Sequence, residues 1–214
     1  MGDELKSAFL RMKKKEAIDL VQEKLRAGVD GLAILMECRE AMEEIGKRFE
    51  TGEFFLSELI YSAEAFKAVS AILEPILKST WASEDSKGVV VFGTPKGDIH
   101  DLGKNIVITL LRAHGFTVHD LGVDVPPARF IEKLQETGAP ILALSALITP
   151  AFASMKEVIS LLEEKRLRQS TFVIIGGGVV TEFARKELGA DAQTLDPIQA
   201  VQLCRERLQR GKGP

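Results

Sequence analysis

The sequence predicts an α/β protein with an all-α domain ahead of it: a helical bundle, then a doubly wound, flavodoxin/Rossmann-like sheet of five parallel strands. Two observations carry this. Up to about Lys78 the apolar residues recur at three- and four-residue spacing, the period of helices with one buried face. From Gly88 onward, short apolar runs alternate with helical segments, the pattern of a parallel sheet covered on both faces. Between them, Lys78 to Lys87 is polar and without period, so residues 79–87 read as a linker between domains 1–78 and 88–214.

Within the first domain, Leu5, Phe9, Met12, Ala17, Leu20 and Leu25 line a helix or helix pair that Gly28 ends. Asp30 is placed to cap a second helix, whose inward stripe runs Leu32, Leu35, Met42, Ile45 and Phe49 before Gly52 stops it. A further helix starts near Ser57, with Leu59, Ala63, Phe66, Ser70, Leu73 and Leu77 on one face. In the second domain, strands are expected near 88–93, 116–121, 140–146, 171–176 and 190–194, each followed by a helix.

The 214 residues, 45% hydrophobic and 28% charged, are those of an ordinary globular protein with a real core. A formal net charge of -3 and the lack of a basic stripe argue against nucleic acid as a partner. The run Arg11 to Lys15 is the exception, and Glu16 and Asp19 mark it as a solvated helix face. No stretch approaches the roughly 18 apolar residues of a membrane span, and no signal peptide is evident, so a cytoplasmic protein without membrane contact is expected. Cys38 and Cys204 lie in different halves with no Cys-x-x-Cys partner, which leaves them as small core or near-surface residues.

The chemistry concentrates in Gly97-Asp98-Ile99-His100-Asp101-Leu102-Gly103, directly after the first strand. In a doubly wound sheet, such loops at the carboxyl ends of strands hold ligands. Asp98 is two residues from His100, close enough to accept one ring N–H and leave the other nitrogen as a metal ligand. Gly103 lets the backbone pass close under whatever His100 holds. On these residues alone, a loop histidine donating to Asp98 is the simpler reading. The fold also brings Ser145-Ala146-Leu147-Ile148-Thr149-Pro150 and Gly176-Gly177-Gly178 to the same edge. The glycines lack the lysine of a P-loop and the spacing of a dinucleotide fingerprint. His114 and His119 stand outside this grouping.

Taken in order, Asp98-x-His100-x-x-Gly103, Ser145-x-Leu147 and Gly176-Gly177 resemble the cobalamin-binding signature of the methionine-synthase-like corrinoid proteins. Lys96-Gly97-Asp98, Gly103-Lys104-Asn105-Ile106 and Asp120-Leu121-Gly122-Val123 are similar to that family as well. The resemblance implies a cobalamin or related corrinoid, with His100 as the lower axial ligand of cobalt in place of the cofactor's own base. Gly97, Asp98, Ile99, Asp101 and Gly103 would form the loop around that ligand. Ser145 would hydrogen-bond the displaced base, Leu147 pack against it, and Ile148 and Thr149 meet the corrin rim. Gly176, Gly177 and Gly178 would admit the nucleotide tail beside the sheet.

The stretch from Gly46 to Leu56 resembles the helical cap ahead of methyl-carrying corrinoid domains. By that resemblance Phe49, Leu56 and Leu59 would cover the upper face of the corrin; by periodicity alone they are bundle core. The family implies a methyl carrier, not a complete enzyme. Cobalt(I) would accept a methyl group from a donor-specific methyltransferase and deliver it, through an acceptor methyltransferase, to tetrahydrofolate or a thiol. A reductive activation protein would complete the set of partners. The rivals are an adenosylcobalamin mutase small subunit, against which the helical domain counts, a cobalamin-binding sensor, and a receiver- or flavodoxin-like module without cobalt. One departure stands out: where the methionine synthase pattern has a serine after Thr-Pro, this chain has Ala151, so a proton path beyond Asp98 would need water or another group.

Overall fold

A computed structural model describes residues 2–81 and 88–210, which divide into two compact units, 1–80 and 81–214. The first unit is all-α: α1 (Gly2–Leu10), α2 (Lys14–Arg26), α3 (Gly31–Glu50) and α4 (Leu56–Trp81). Met12, at a φ of 57°, makes the turn between α1 and α2, so the expected first segment is a helix pair. The Asp30 carboxylate accepts the Ala33 N–H at 3.3 Å and caps α3 as its position predicts. Lys24 on α2 pairs with Glu37 on α3 at 2.9 Å, and the Ser62 hydroxyl of α4 donates to Glu58 O and to Met12 Sδ.

The buried stripes sit slightly off the expected ones. On α3 they are Ile34, Leu35, Cys38, Ala41, Met42 and Ile45, with Leu32 only half-buried and Phe49 40% exposed. On α4 they are Ser62, Ala65, Phe66, Val69, Leu73 and Leu77. A drift of one residue is what a 3.6-residue period produces over a long helix when the stripe is counted in threes and fours. Helix α4 also continues past Lys78 to Trp81, into the expected linker, because nothing in Ser79-Thr80-Trp81 breaks a helix. The rest of that linker, 82–87, lies outside the described residues.

The second unit contains β1 (Gly88–Gly93), α5 (Leu102–Ala113), β2 (Phe116–Asp120), α6 (Pro127–Thr137), β3 (Ile141–Ser145), α7 (Ala151–Glu164), β4 (Phe172–Gly176), α8 (Glu182–Leu188), β5 (Ala192–Thr194) and α9 (Pro197–Arg210). The strands are all parallel, in the order β2-β1-β3-β4-β5. This is the doubly wound order that the alternation predicts. Four strands are a residue or two shorter than expected, yet ladder-like bonds continue beyond their ends: Leu121 N–H donates to Phe92 O at 2.8 Å and Ala146 N–H to Gly176 O at 2.9 Å.

The two faces of the sheet alternate along each strand. Val91, Leu142, Leu144, Val173 and Ile175 face α6 and α7, where they pack with Phe130, Ile131, Leu134, Met155, Val158 and Leu162. Val90, Phe92, Ile141, Ala143 and Ile174 point the other way, toward the side closed by α5 and α9, which pack on each other. Full burial of one such side chain contributes about 1.5–3 kcal/mol, so two complete cores fix the sheet and the loops at its carboxyl edge.

Candidate functional site

The loop between β1 and α5 carries the Asp98–His100 pair. Asp98 is wholly buried. Its Oδ1 lies 2.6 Å from His100 Nδ1 and accepts the His100 backbone N–H at 3.0 Å. Its Oδ2 accepts the N–H groups of Leu147 at 2.7 Å and Ile148 at 3.2 Å. Burial pushes the Asp98 carboxyl up, but the hydrogen bonds it accepts from His100 and Leu147 outweigh it and hold the group below the ordinary aspartate range. An ionised carboxylate only accepts, so the proton in the short contact belongs to Nδ1, and the Nε2 lone pair of the half-exposed imidazole is left as a ligand.

The same bonds join two of the sequence motifs, because Leu147 and Ile148 belong to the turn after β3. The third motif closes on that turn. Gly177, at a φ of 108°, lies so close to Ala146 that a Cβ would stand 2.0 Å from its carbonyl oxygen. A Cβ on Gly178 would come within 2.8 Å of Leu147 Cδ1. The glycines that the resemblance assigns to the cofactor's tail are therefore also demanded by the close approach of the β3 and β4 turns. Ser145 pairs in register with Gly176 and is half-buried, and Thr149 is exposed at the end of the turn.

Around His100 the surface is apolar and open: Ile99 is 72% exposed and Leu147 46%. A Cβ on Gly103, in the first turn of α5, would meet open space beyond its own helix, so packing does not require a glycine there. Space of that kind beside an outward imidazole suits a flat, largely apolar ligand that carries its own metal. Among the described residues no cluster of three or more His, Cys, Asp or Glu could hold a bare ion. Asp101 is bound to α5, its Oδ2 accepting from Asn105 Nδ2 at 3.0 Å and its backbone oxygen from Asn105 N–H.

Comparison with known proteins decides the family. A model described as the B12 binding domain matches residues 88–199, and a second of the same description matches residues 1–74. A corrinoid protein of Desulfitobacterium hafniense is 40% identical over 208 residues, spanning 96% of each chain. The dimethylamine corrinoid protein of Methanosarcina barkeri is 39% identical over 196 residues, 91% of this chain and 92% of that one. The chain belongs to the corrinoid proteins of methyltransferase systems. Among solved structures, the Methanosarcina barkeri monomethylamine corrinoid protein is 31% identical, with a TM-score of 0.86 over 95% of this corrinoid protein and 96% of that chain. The methanol:cobalamin methyltransferase complex from the same organism contains a chain 26% identical, with a TM-score of 0.56 over 96% of this chain and 78% of that one.

The remaining expected residues are distributed as follows. His114 caps α5, its Nδ1 2.8 Å from Leu110 O, and His119 sits in β2 in register with Val91. Cys38 and Cys204 are buried, with burial raising each thiol to about 12, so neither is a reactive thiolate. In the helical unit Leu59 is half-buried, and the side chain of Leu56 lies outside what is described. No helix among the described residues is long and apolar enough to cross a membrane.

Sequence reasoning missed Lys104. It is 2% exposed, and its Nζ donates to Asp120 Oδ1 at 2.7 Å, Asp120 Oδ2 at 2.9 Å and Asn105 Oδ1 at 2.9 Å. The signal was present: Lys104 falls on the buried stripe of α5 with Ile108 and Leu111, where a charge needs a partner. Lys104→Met is expected to cost about 3 kcal/mol, the low end for breaking a buried pair because Asp120 keeps some water. Adding Asp120→Asn should recover most of that loss in urea unfolding, whereas equal losses for single and double variants would show that the pair does not matter.

Asp98 gives a pH dependence. Because its folded pKa is lowered, its stabilisation is complete above the unfolded value and is lost as pH falls through the folded one. The cofactor-free parent should thus lose more stability than Asp98→Asn between about pH 5 and 3. Parallel curves for the two proteins would remove Asp98 as a source of acid lability.

Proposed function

We propose that this protein is a methyl carrier that holds a corrinoid through His100 and meets two methyltransferases in turn, one supplying a methyl group and one passing it to an acceptor such as tetrahydrofolate or a thiol. The observation that carries the reading is the buried Asp98 carboxylate, which orients His100 and leaves Nε2 facing an open apolar surface. When bound, the corrinoid supplies a cobalt centre that accepts and releases a methyl group. The chain's own part is to bind and orient. His100 would hold the cobalt through Nε2, Asp98 fixes the ring's tautomer, Ile99 and Leu147 offer apolar surface, and Ser145, Thr149 and the Gly176–Gly178 turn belong to the same edge of the sheet. Relatives named for dimethylamine make methylated amines the first donors to test. A reductive activation protein would return the carrier to its working state.

The helical unit is proposed to shield a bound corrinoid, and by the resemblance of Gly46 to Leu56 the residues that would do so are Phe49, Leu56 and Leu59. An aromatic side chain at the end of α3 that is 40% exposed is not a core residue, which favours a covering role. Such a cover must swing aside at each transfer.

Two experiments check this reading. In the cobalt(II) holoprotein, nitrogen superhyperfine splitting should respond to labelled histidine and vanish in His100→Ala, while splitting that follows only the cofactor's own base would remove His100 as the ligand. Phe49→Ala should leave stability within about 1 kcal/mol, since the side chain is not buried, and should speed aerobic oxidation of the reduced holoprotein. An unchanged oxidation rate would sink the shielding role.

A further inference from the structure

The loop between β2 and α6 reaches over the histidine loop and holds it by its backbone. Val125 N–H donates to Thr94 O at 3.0 Å, Lys96 N–H to Val125 O at 2.9 Å, and Pro95 and Val125 form an isolated parallel bridge. At the tip of this loop is Asp124, whose φ of 53° lies in the left-handed region that few non-glycine residues adopt. Its N–H donates to the carbonyl of Asp98 at 2.9 Å, and its Oδ1 accepts the N–H of Gly97 at 2.8 Å. Gly97 is left-handed as well, at a φ of 92°. Asp124 is exposed, so core packing sets no requirement there. What aspartate brings is tolerance of the turn and a carboxylate aimed at the residue before Asp98.

We propose that Asp124 is a positioning residue for the cofactor's ligand: by clamping Gly97 and Asp98 it keeps the Asp98 carboxylate where it fixes the His100 ring. The chain of contacts is continuous, from Asp124 to the Asp98 backbone, and from the Asp98 side chain to His100 Nδ1. Neither Gly97 nor Asp98 lies within a helix or strand, so the backbone leading to His100 depends on bonds from neighbouring loops. The proposal rests on the reading of His100 as the axial ligand.

The test compares Asp124→Asn with Asp124→Gly. Both residues accept the left-handed backbone, but only asparagine keeps an Oδ1 to receive the Gly97 N–H. In the cofactor-free proteins, amide exchange at Gly97 should stay close to the parent in the asparagine variant, which keeps the acceptor, and quicken about tenfold in the glycine variant, the loss of one hydrogen bond. After loading with cobalamin and reduction to the cobalt(II) form, parent and asparagine variant should show full histidine splitting, and the glycine variant a mixture with histidine-free cobalt. Unchanged Gly97 exchange in the glycine variant would show that there is no clamp. Faster exchange with full histidine ligation would make Asp124 a local loop residue only, and either result overturns the proposal. If the parent itself shows no histidine nitrogen while Gly97 exchange still responds, the assignment of His100 has failed and the clamp has not.

Discussion

The second unit turns on one buried carboxylate. Taking an ionised aspartate out of water is costly unless its lone pairs are filled, and Asp98 receives four donors: His100 Nδ1–H, His100 N–H, Leu147 N–H and Ile148 N–H. Two of these come from its own loop. The other two come from a turn some fifty residues away in sequence, which reaches Asp98 only when β1 and β3 are paired. The orientation of His100 is thus a consequence of the folded sheet and not of the loop alone. A short Asp-x-His peptide could form the imidazole contact, but it would lack the amides that keep the carboxylate ionised away from water.

Parallel pairing makes that convergence possible. Because every strand runs the same way, the segments after β1, β3 and β4 leave the sheet at one edge. The strand order reverses between β1 and β3, where the connections that follow the two strands diverge to opposite faces and open a crevice. Asp98 spans the crevice at its base. On the far side, Gly177 packs its backbone against Ala146, so the β3 turn is gripped from both flanks. Leu147 sits between, its amide held by Asp98 and its side chain touching the space beside Gly178. A fixed floor with an exposed apolar rim of Ile99 and Leu147 suits a broad planar ligand better than a small polar one.

How much of this could be read in the sequence depends on the range of the contacts. The central strands β1, β3 and β4 are nearly continuous apolar runs, and all five strand boundaries lie within two residues of those expected because proline, glycine and polar residues flank them. The Asp30 cap and the Asp98–His100 pair are legible for the same reason: donor and acceptor lie within three residues of each other. Contacts across longer intervals leave no local trace. The Gly97–Asp124 bond spans 27 residues and joins two loops, the Lys104–Asp120 pair spans 16 and joins α5 to the end of β2, and both depend on how β1 and β2 pair. Periodicity alone puts Phe49 on the buried stripe because counting in threes and fours carries that stripe to the end of α3, whereas in the structure Phe49 is 40% exposed. Gly177 was legible as a turn, but not as the close approach that excludes any side chain.

The substitution at Ala151 gains its meaning from the same geometry. The residue is buried in the first turn of α7, and its methyl group offers neither donor nor acceptor. Where the methionine synthase pattern has a serine, a hydroxyl could both accept and give a proton. Here Asp98 Oδ2 instead accepts hydrogen bonds from the backbone amides of Leu147 and Ile148. The described partners of Asp98 are the His100 ring and three backbone amides, so the half-exposed imidazole is the one titratable group bonded to it among the described residues.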